Sequence, residues 1–309
     1  HAASQRCLKS LAGVAAPEHR VYVLDNASGD GSMERLREEF EGHGPSFVQN
    51  EKNVGFAAGC NVGIRNALED GCGSVLLLNN DCIVSDPEFL LRGIERAESD
   101  PRCGIVGGKI LYWPDTGHLW SIGGYLGFWG GERYPGHREI DRGQFDMAAE
   151  RSFISGALML IKREVIESIG ALPDAYFFGK EDSEYSRRAG EAGFRLIYEP
   201  AFRVHHEAGN SHDGFDPVYA YNSYLSKILY QRRNLNPAAF ALWRLAFATY
   251  AAWGFPLRHA LRPGTFRPGL SARVMHMTLK NAFADSRRTE KITEETLDAF
   301  RRRHPELMR

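Results

Sequence analysis

The chain lacks an excess of charge of either sign. Its 309 residues hold 38 Lys and Arg against 39 Asp and Glu, a net charge of −1, so there is no overall basic field of the kind that drives nonspecific nucleic-acid binding. A nucleic-acid partner is therefore not expected. Cysteine is scarce as well. Cys7, Cys60, Cys72, Cys82 and Cys103 are odd in number, never spaced C-x-x-C and absent beyond residue 103, which excludes a disulfide framework and a zinc ribbon and fits reduced thiols in a cytoplasmic protein. No H-E-x-x-H occurs, so a protease-type zinc centre is unsupported. No apolar run opens the chain, and no signal peptide is visible. What is present, 43% hydrophobic and 25% charged residues, suffices for one large or two modest packed domains and is too well mixed for disorder.

The first ~110 residues alternate short β-branched or leucine runs with helical patterns, the signature of βα units in an α/β protein with a parallel sheet. Strands are expected at Val21 to Leu24, around Phe47-Val48 and at Ser74 to Leu78, the last continuously apolar as a buried parallel strand should be. Helices are expected from Met33 to Phe40, from Phe56 to about Asp70 with Gly71 as cap, and from Asp86-Pro87 through Glu98. Further on, Phe153 to Ile161 reads as a strand interrupted by Gly156, and Arg195 to Tyr198 reads as the last good strand. Between them, Tyr112, Trp113, Trp120, Tyr125, Phe128, Trp129 and Tyr134 are interleaved with glycines, which suits a long functional loop or an edge hairpin. From about Tyr219 the chain reads as helical. Ala238 to Leu257 carries one charge, Arg244, and is broken by Gly254 and Pro256, so it suits an interfacial or packed helix better than a transmembrane one. Arg258, Arg262, Arg267 and Arg273 would assist docking at a membrane surface.

The polar clusters fall where strands end and helices begin, the place where open α/β sheets bind ligands. Asp81, in Asn79-Asn-Asp81 after the leucine strand, is placed to hold a hard divalent cation at the sheet rim. Glu181, Asp182 and Glu184 open a helix, where a carboxylate held against a substrate hydroxyl could act as general base and where acids also simply offset the helix dipole. His205 and His206, read as lying in a loop after the last strand, offer an imidazole that could share an ion with Asp81.

Taken in order, Asp25-Asn-Ala-Ser-Gly-Asp-Gly-Ser32, Asn53-Val-Gly-Phe-Ala-Ala-Gly-Cys-Asn-Val-Gly63, Leu77-Leu-Asn-Asn-Asp81, Ser155-Gly-Ala157, Glu181-Asp182 and His206-x-x-Gly209-x-Ser211 resemble family 2 glycosyltransferases, most closely their bacterial rhamnosyltransferase-like branch. The resemblance covers roughly residues 1 to 235. It implies a GT-A fold, a Rossmann-like, mostly parallel sheet flanked by helices. Residues 1–218 would form the nucleotide-sugar-binding and catalytic domain, and residues 219–309 a helical, membrane-associating C-terminal region. It also implies an inverting transfer of a sugar from a nucleotide-diphosphate donor, dTDP- or UDP-linked with rhamnose among the candidates, to a glycan or lipid-linked acceptor at the inner face of the cell membrane. Asp25 would contact the nucleoside and Asn26 and Asn53 would shape its pocket, with Ser28, Gly55, Asn61, Asn80 and Gly156 completing the nucleotide-sugar site. Asp81 and His206 would bind Mg²⁺ or Mn²⁺. Asp182, with Glu181 beside it, would be the catalytic base.

The chain departs from the family pattern twice. Asn79 stands where the D-x-D element opens with a carboxylate, leaving one anionic ligand fewer. The chain also starts at what resembles the helix after the family's first strand, so that strand is expected to be missing. Two other readings compete. A sugar nucleotidyltransferase would carry a glycine-rich loop with a basic residue near the amino terminus, which is not seen. A catalytically silent nucleotide-sugar or glycan-binding protein fits Asn79 but not the retention of Asp81, Asp182 and His206.

Overall fold

The alternation of apolar runs and polar turns folds into βα units in a computed structural model of the chain, which describes residues 1–15, 18–42, 44–114, 117–207, 216–250 and 268–307. Gly209 and Ser211 of the histidine motif, residues 251–257 of the apolar stretch, Arg258, Arg262 and Arg267, and the side chain of Arg273 lie outside the described residues. Two units are formed, one by His1–Leu126, Glu132–Pro173 and Asp182–Ser211, the other by Gly127–Gly131, Asp174–Glu181 and His212–Arg309.

The first unit begins with α1 (Ala2–Leu11), β1 (Tyr22–Asp25), α2 (Ser32–Glu39), β2 (Ser46–Gln49), α3 (Phe56–Glu69), β3 (Ser74–Leu78), β4 (Cys82–Ile83) and α4 (Phe89–Glu98). Gly71 ends α3 as expected. At φ +80° it lets its own N–H reach Leu68 O at 3.1 Å and that of Cys72 reach Ala67 O at 2.9 Å, closing the carbonyls of the last turn. Then follow β5 (Cys103–Tyr112), β6 (Leu119–Ser121), the short hairpin β7 (Tyr125–Leu126) and β8 (Glu132–Arg133), β9 (Ala149–Arg151), β10 (Leu158–Lys162), α5 (Arg163–Ile169), α6 (Glu181–Glu191) and β11 (Arg195–His206). The aromatic segment thus contains a hairpin, β7 with β8, but this forms its own two-stranded ladder rather than an edge of the larger sheet.

Strand order in the larger sheet is β3-β10-β5-β11-β4, with β6 on β5 and β9 on β11. Along β3 and β10 the side chains divide by period two. Val75, Leu77, Met159 and Ile161 join Ile64 of α3 and Val165 of α5 on one face, while Leu158 and Leu160 join Phe89 and Ala97 of α4 on the other. Helices therefore cover both faces, which accounts for the unbroken leucine run. Residues 158–161 are each at most 2% exposed, worth about 1.5–3 kcal/mol apiece.

Several expectations need correction. The leucine strand is two-sided because helices cover both faces, yet it pairs antiparallel with β10. Among the described residues only β1 with β2 and β5 with β11 pair in parallel, so the sheet is mixed where a mostly parallel one is expected. β1 and β2 form a separate two-stranded ladder. The Phe153 to Ile161 strand begins only at Leu158, because residues 155–157 make a turn closed by Leu158 N–H to Ser155 O at 3.2 Å. β5 is hidden in the sequence by Gly104, Gly107 and Gly108, weak strand formers that close packing demands: a Cβ on Gly108 would collide with the Phe202 carbonyl. Finally, β11 continues eight residues beyond Tyr198, through a register shift between Glu199 and Arg203 that accommodates Pro200. His205 and His206 are therefore strand residues rather than loop residues.

The second unit is helical in its C-terminal part, with α7 (Pro217–Asn234), α8 (Pro237–Thr249), α9 (Pro268–Asp285) and α10 (Glu294–Arg303). Asp216 accepts from Val218 and Tyr219 N–H and caps α7, and Asn236 caps α8, each before a Pro at the first helical position. Its core is aromatic. Tyr221 stacks on Phe300 at 4.1 Å and Trp243 on Phe247 at 4.8 Å between ring centroids.

Candidate active site

β1 delivers Asp25 to the head of a loop that turns back at once. The Asp25 carboxylate, 9% exposed, accepts from Ser28 N–H at 3.1 Å and from Gln49 Nε2 at 3.2 Å, while Ala27 is held at φ +62°, a left-handed conformation uncommon for a residue with a Cβ. Asn26 reaches the next loop, donating to Gly55 O at 2.9 Å and accepting from Asn50 Nδ2 at 2.9 Å. Asn53 Oδ1 accepts from Gly55 N–H at 3.1 Å, and Gly55, at φ +86°, starts α3. A Cβ at Gly59 would sit 3.2 Å from Asn26 Nδ2, so a bare backbone there leaves room for that amide. Beside these residues lies a cleft of about 400 Å³ lined by Ala27, Ser28, Gln49, Asn50 and Glu51. Asp25, Asn26, Ser28, Asn53 and Gly55 are thus brought together.

Asn61 stands apart. Its amide donates to Leu172 O at 2.8 Å and accepts from Leu172 N–H at 2.9 Å, pinning buried α3 to the segment after α5. Asn61→Ala should orphan both Leu172 groups and lower unfolding stability by about 2–4 kcal/mol, measurable as a fall in the urea midpoint at unchanged slope. Asn80 is exposed and donates to Ser4 Oγ at 2.9 Å.

The register of β4 against β11 places Cys82 opposite His206, and Glu207 N–H bonds Asp81 O at 3.0 Å. Asp81 Oδ1 consequently lies 2.9 Å from His206 Nε2, a residue from the far end of the first unit's sequence. Beyond this close approach, Asp81 Oδ1 is buried with no hydrogen-bond partner among the described residues, and the same holds for His206 Nδ1. The Asn79 amide nitrogen approaches the same His206 Nε2 at 3.4 Å, and the Trp120 ring stands edge-on to the imidazole at 4.6 Å. An unsatisfied carboxylate oxygen facing an imidazole nitrogen at a sheet rim is a donor set that fits a hard divalent cation. Cys82 Sγ shares the cluster, within 4.8 Å of the other two ligand atoms. Burial pushes its thiol well above the ordinary range and it points at Ala157 O, so it offers no thiolate.

The turn at 155–157 ties the pieces together. Asn79 N–H donates to Ala157 O at 3.1 Å. Gly156 N–H donates to Asp182 Oδ2 at 3.3 Å, and a Cβ on Gly156 would lie 3.3 Å from the Phe56 ring at the start of α3. One tight turn is therefore adjacent to the end of the leucine strand, to the start of α3 and to Asp182. The Asp182 carboxylate also accepts from Ser183 N–H at 2.8 Å. Glu181 behaves differently from its neighbour. It is 3% exposed and accepts from Gly179 N–H at 2.6 Å and Lys180 N–H at 2.8 Å. Burial pushes its carboxyl up, and those N–H groups offset the shift only in part. It folds the turn before α6 rather than facing outward.

Three contacts are not legible in the sequence: Phe56 against Gly156, Trp120 against His206, and Ser183 Oγ donating to Glu132 Oε1 at 2.5 Å while lying 3.5 Å from Asp182 Oδ1. Phe56 stands inside the Asn53 to Gly63 motif and Trp120 inside the aromatic run, but Glu132 carries no signal. Another cavity, about 160 Å³ between Arg96, Asp100, Cys103, Glu150 and Arg195, has its charges paired, Arg195 with Asp100 and Glu150 and Arg96 with Glu199.

The sequence profile of Glycosyltransferase like family 2 matches residues 2–217. The O-antigen biosynthesis protein RfbC of Myxococcus xanthus is 30% identical over 150 residues, 47% of this chain and only 12% of that protein. The N-acetylglucosaminyl-diphospho-decaprenol L-rhamnosyltransferase of Mycobacterium tuberculosis is 25% identical over 235 residues, 69% of this chain and 74% of that protein. Among solved structures, the mannosyltransferase PcManGT from Pyrobaculum calidifontis in complex with GDP-Man and Mn²⁺ shares the fold, with a TM-score of 0.57 at 16% identity over 94% of this chain and 84% of its own. With most of its length matched by the family profile and its architecture shared with such enzymes, the chain belongs to glycosyltransferase family 2 and has the GT-A glycosyltransferase fold.

Proposed function

We propose that this chain transfers a sugar from a dTDP- or UDP-linked donor, rhamnose being one candidate, to a hydroxyl of a glycan or lipid-linked acceptor, with inversion at the anomeric carbon. Asp182 is the general base. Its carboxylate accepts from the Gly156 and Ser183 N–H groups, which fix its direction. In the reaction the acceptor oxygen attacks the anomeric carbon opposite the diphosphate, its proton passes to Asp182, and the sugar–phosphate bond breaks with its electron pair leaving on the diphosphate. Asp25, Asn26, Ser28, Asn53 and Gly55 form the nucleotide end, with Gly156 between that end and the base. Asp81 and His206 would hold a divalent cation, which when bound supplies positive charge to the departing diphosphate.

The single observation that carries this reading is the 155–157 turn, against which the end of the leucine strand, the start of α3 and Asp182 all pack. Asn79, which leaves the cation one carboxylate short, favours the competing reading of a silent nucleotide-sugar binder. Nucleoside diphosphate release from a panel of UDP-, dTDP- and GDP-sugars with Mn²⁺ and a lipid-linked glycan extract separates the two. Turnover of one donor is expected; saturable binding without release above the protein-free rate would select the silent binder.

A further inference from the structure

Glu132 stands on β8, paired across the short hairpin with Leu126 of β7. Three bonds tie this hairpin to the chain that leads into the 155–157 turn: Leu126 N–H donates to Ser152 Oγ at 2.8 Å, Ser152 N–H to Gly124 O at 3.1 Å, and Gly124 N–H to Phe153 O at 2.8 Å. The next residue but one is held by α6, since Ile154 N–H donates to Ser186 Oγ at 3.2 Å. Ser186 and Ser183 are three apart and share a face of that helix. The hairpin is thereby fixed beside the start of α6, and the Glu132 carboxylate reaches the hydroxyl of Ser183, the residue that follows Asp182.

Ser183 is 1% exposed, and two carboxylate oxygens lie around its Oγ, Glu132 Oε1 at 2.5 Å and Asp182 Oδ1 at 3.5 Å. A hydroxyl has one proton and donates once. The shorter distance is that of a charge-assisted O–H···O⁻ bond, and the longer one lies beyond the ordinary range. The proton is therefore committed to Glu132, while Asp182 Oδ1 takes the Ser183 backbone N–H at 2.8 Å. Take Glu132 away, and the same buried hydroxyl has the Asp182 oxygen within its reach. A donor added to a carboxylate stabilises its charge and makes it a weaker base.

We infer that Glu132 is a positioning residue for the transfer reaction: by taking the Ser183 hydroxyl proton it keeps that hydroxyl from bonding Asp182 and leaves the Asp182 carboxylate ready for the proton of the acceptor. The inference rests on the reading of Asp182 as general base. A Glu132 that merely strapped the hairpin to α6 would behave differently in one respect. Deleting the Ser183 hydroxyl as well would then remove the other half of the strap and make matters no better. If Glu132 acts by withholding a donor from Asp182, deleting that donor makes Glu132 dispensable.

The test is steady-state kinetics of the full chain as E132A, E132Q and E132A/S183A, on the donor identified by nucleotide release, with Asp182→Asn alongside. E132A should lower kcat by about tenfold at unchanged KM and unchanged Mn²⁺-dependent nucleotide binding. E132Q keeps an oxygen that accepts from Ser183 and should stay within about threefold of wild type, and E132A/S183A should recover most of what E132A loses. Should E132A misfold, E132M, which fills the same space with only a weakly accepting sulfur, carries the same predictions. Wild-type kcat in the Ala or Met variant, or a double variant no faster than the single one, overturns the inference while an inactive Asp182→Asn leaves the base reading standing. Full activity in Asp182→Asn, or no turnover by the wild type, overturns both together.

Discussion

Replacing Asp182 with Asn is expected to slow transfer by about 10²–10⁴-fold, the range a positioned general base contributes, while donor affinity stays within about twofold. The substitution is nearly isosteric. Gly156 N–H bonds Oδ2 and Ser183 N–H bonds Oδ1 of the native carboxylate, so the single amide oxygen of the replacement keeps one of the two contacts, while the turn at 155–157 retains its closing bond from Leu158 N–H to Ser155 O. What disappears is the capacity to take the acceptor proton. Steady-state kinetics on the donor found by nucleotide release would read this as a fall in kcat at constant KM. A parallel rise in KM would mean instead that Asp182 binds substrate. Full activity in the variant would remove Asp182 from the chemistry altogether.

The second large effect is expected at the cation pair. Asp81→Ala should weaken Mn²⁺-dependent nucleotide binding by at least about 100-fold, the upper end of what loss of one orienting group costs a metal site. The structural reason is the thinness of the donor set. Asn79 is neutral, burial pushes the Cys82 thiol well above its ordinary range, and among the described residues of this cluster Asp81 alone is a carboxylate. A site with three carboxylates could lose one and still bind. Nucleotide affinity in the absence of metal should change little, because the Asp25 loop takes none of its hydrogen bonds from Asp81. Calorimetric titration with and without Mn²⁺ reads the two effects separately.

How far the sequence reveals this molecule differs sharply between its parts. The βα rhythm of residues 21–98 is local, set by apolar runs and caps such as Gly71, and it appears in the fold within a residue or two. β5 is not local in that sense. Its glycines lower strand propensity, and their reason, the approach of Phe202 and Ile154, lies far away along the chain. β11 is masked beyond Tyr198 by Pro200 and by outward-facing Arg203, so two histidines that belong to the sheet read as loop residues. Strand direction is hidden for a related reason. A leucine run records that both faces are covered, not which way the neighbour runs.

The candidate site shows the same division. Asp25, Asn26, Asn53 and Gly55 are close in sequence and their mutual bonds follow from turn chemistry that asparagine and aspartate announce. The meeting of Asp81 with His206 depends on one register between β4 and β11, which no spacing encodes. Asn61 lies inside the Asn53 to Gly63 motif, yet its amide is engaged on Leu172, a partner 111 residues away. Adjacent carboxylates also part company. Glu181 turns inward to its own preceding turn while Asp182 meets Gly156, a distinction set by their different faces on α6 rather than by their chemistry.

The most direct test of one site uniting nucleotide, cation and base is calorimetric titration of UDP, dTDP and GDP, each with and without Mn²⁺, into the wild-type chain, Asp81→Ala and Asp182→Asn. The account predicts that one nucleotide binds tightly only with Mn²⁺, that Asp81→Ala abolishes this dependence, and that Asp182→Asn leaves it intact. Binding of that nucleotide with equal strength to wild type and Asp81→Ala, or failure of all three nucleotides to bind wild type with Mn²⁺ present, would contradict it.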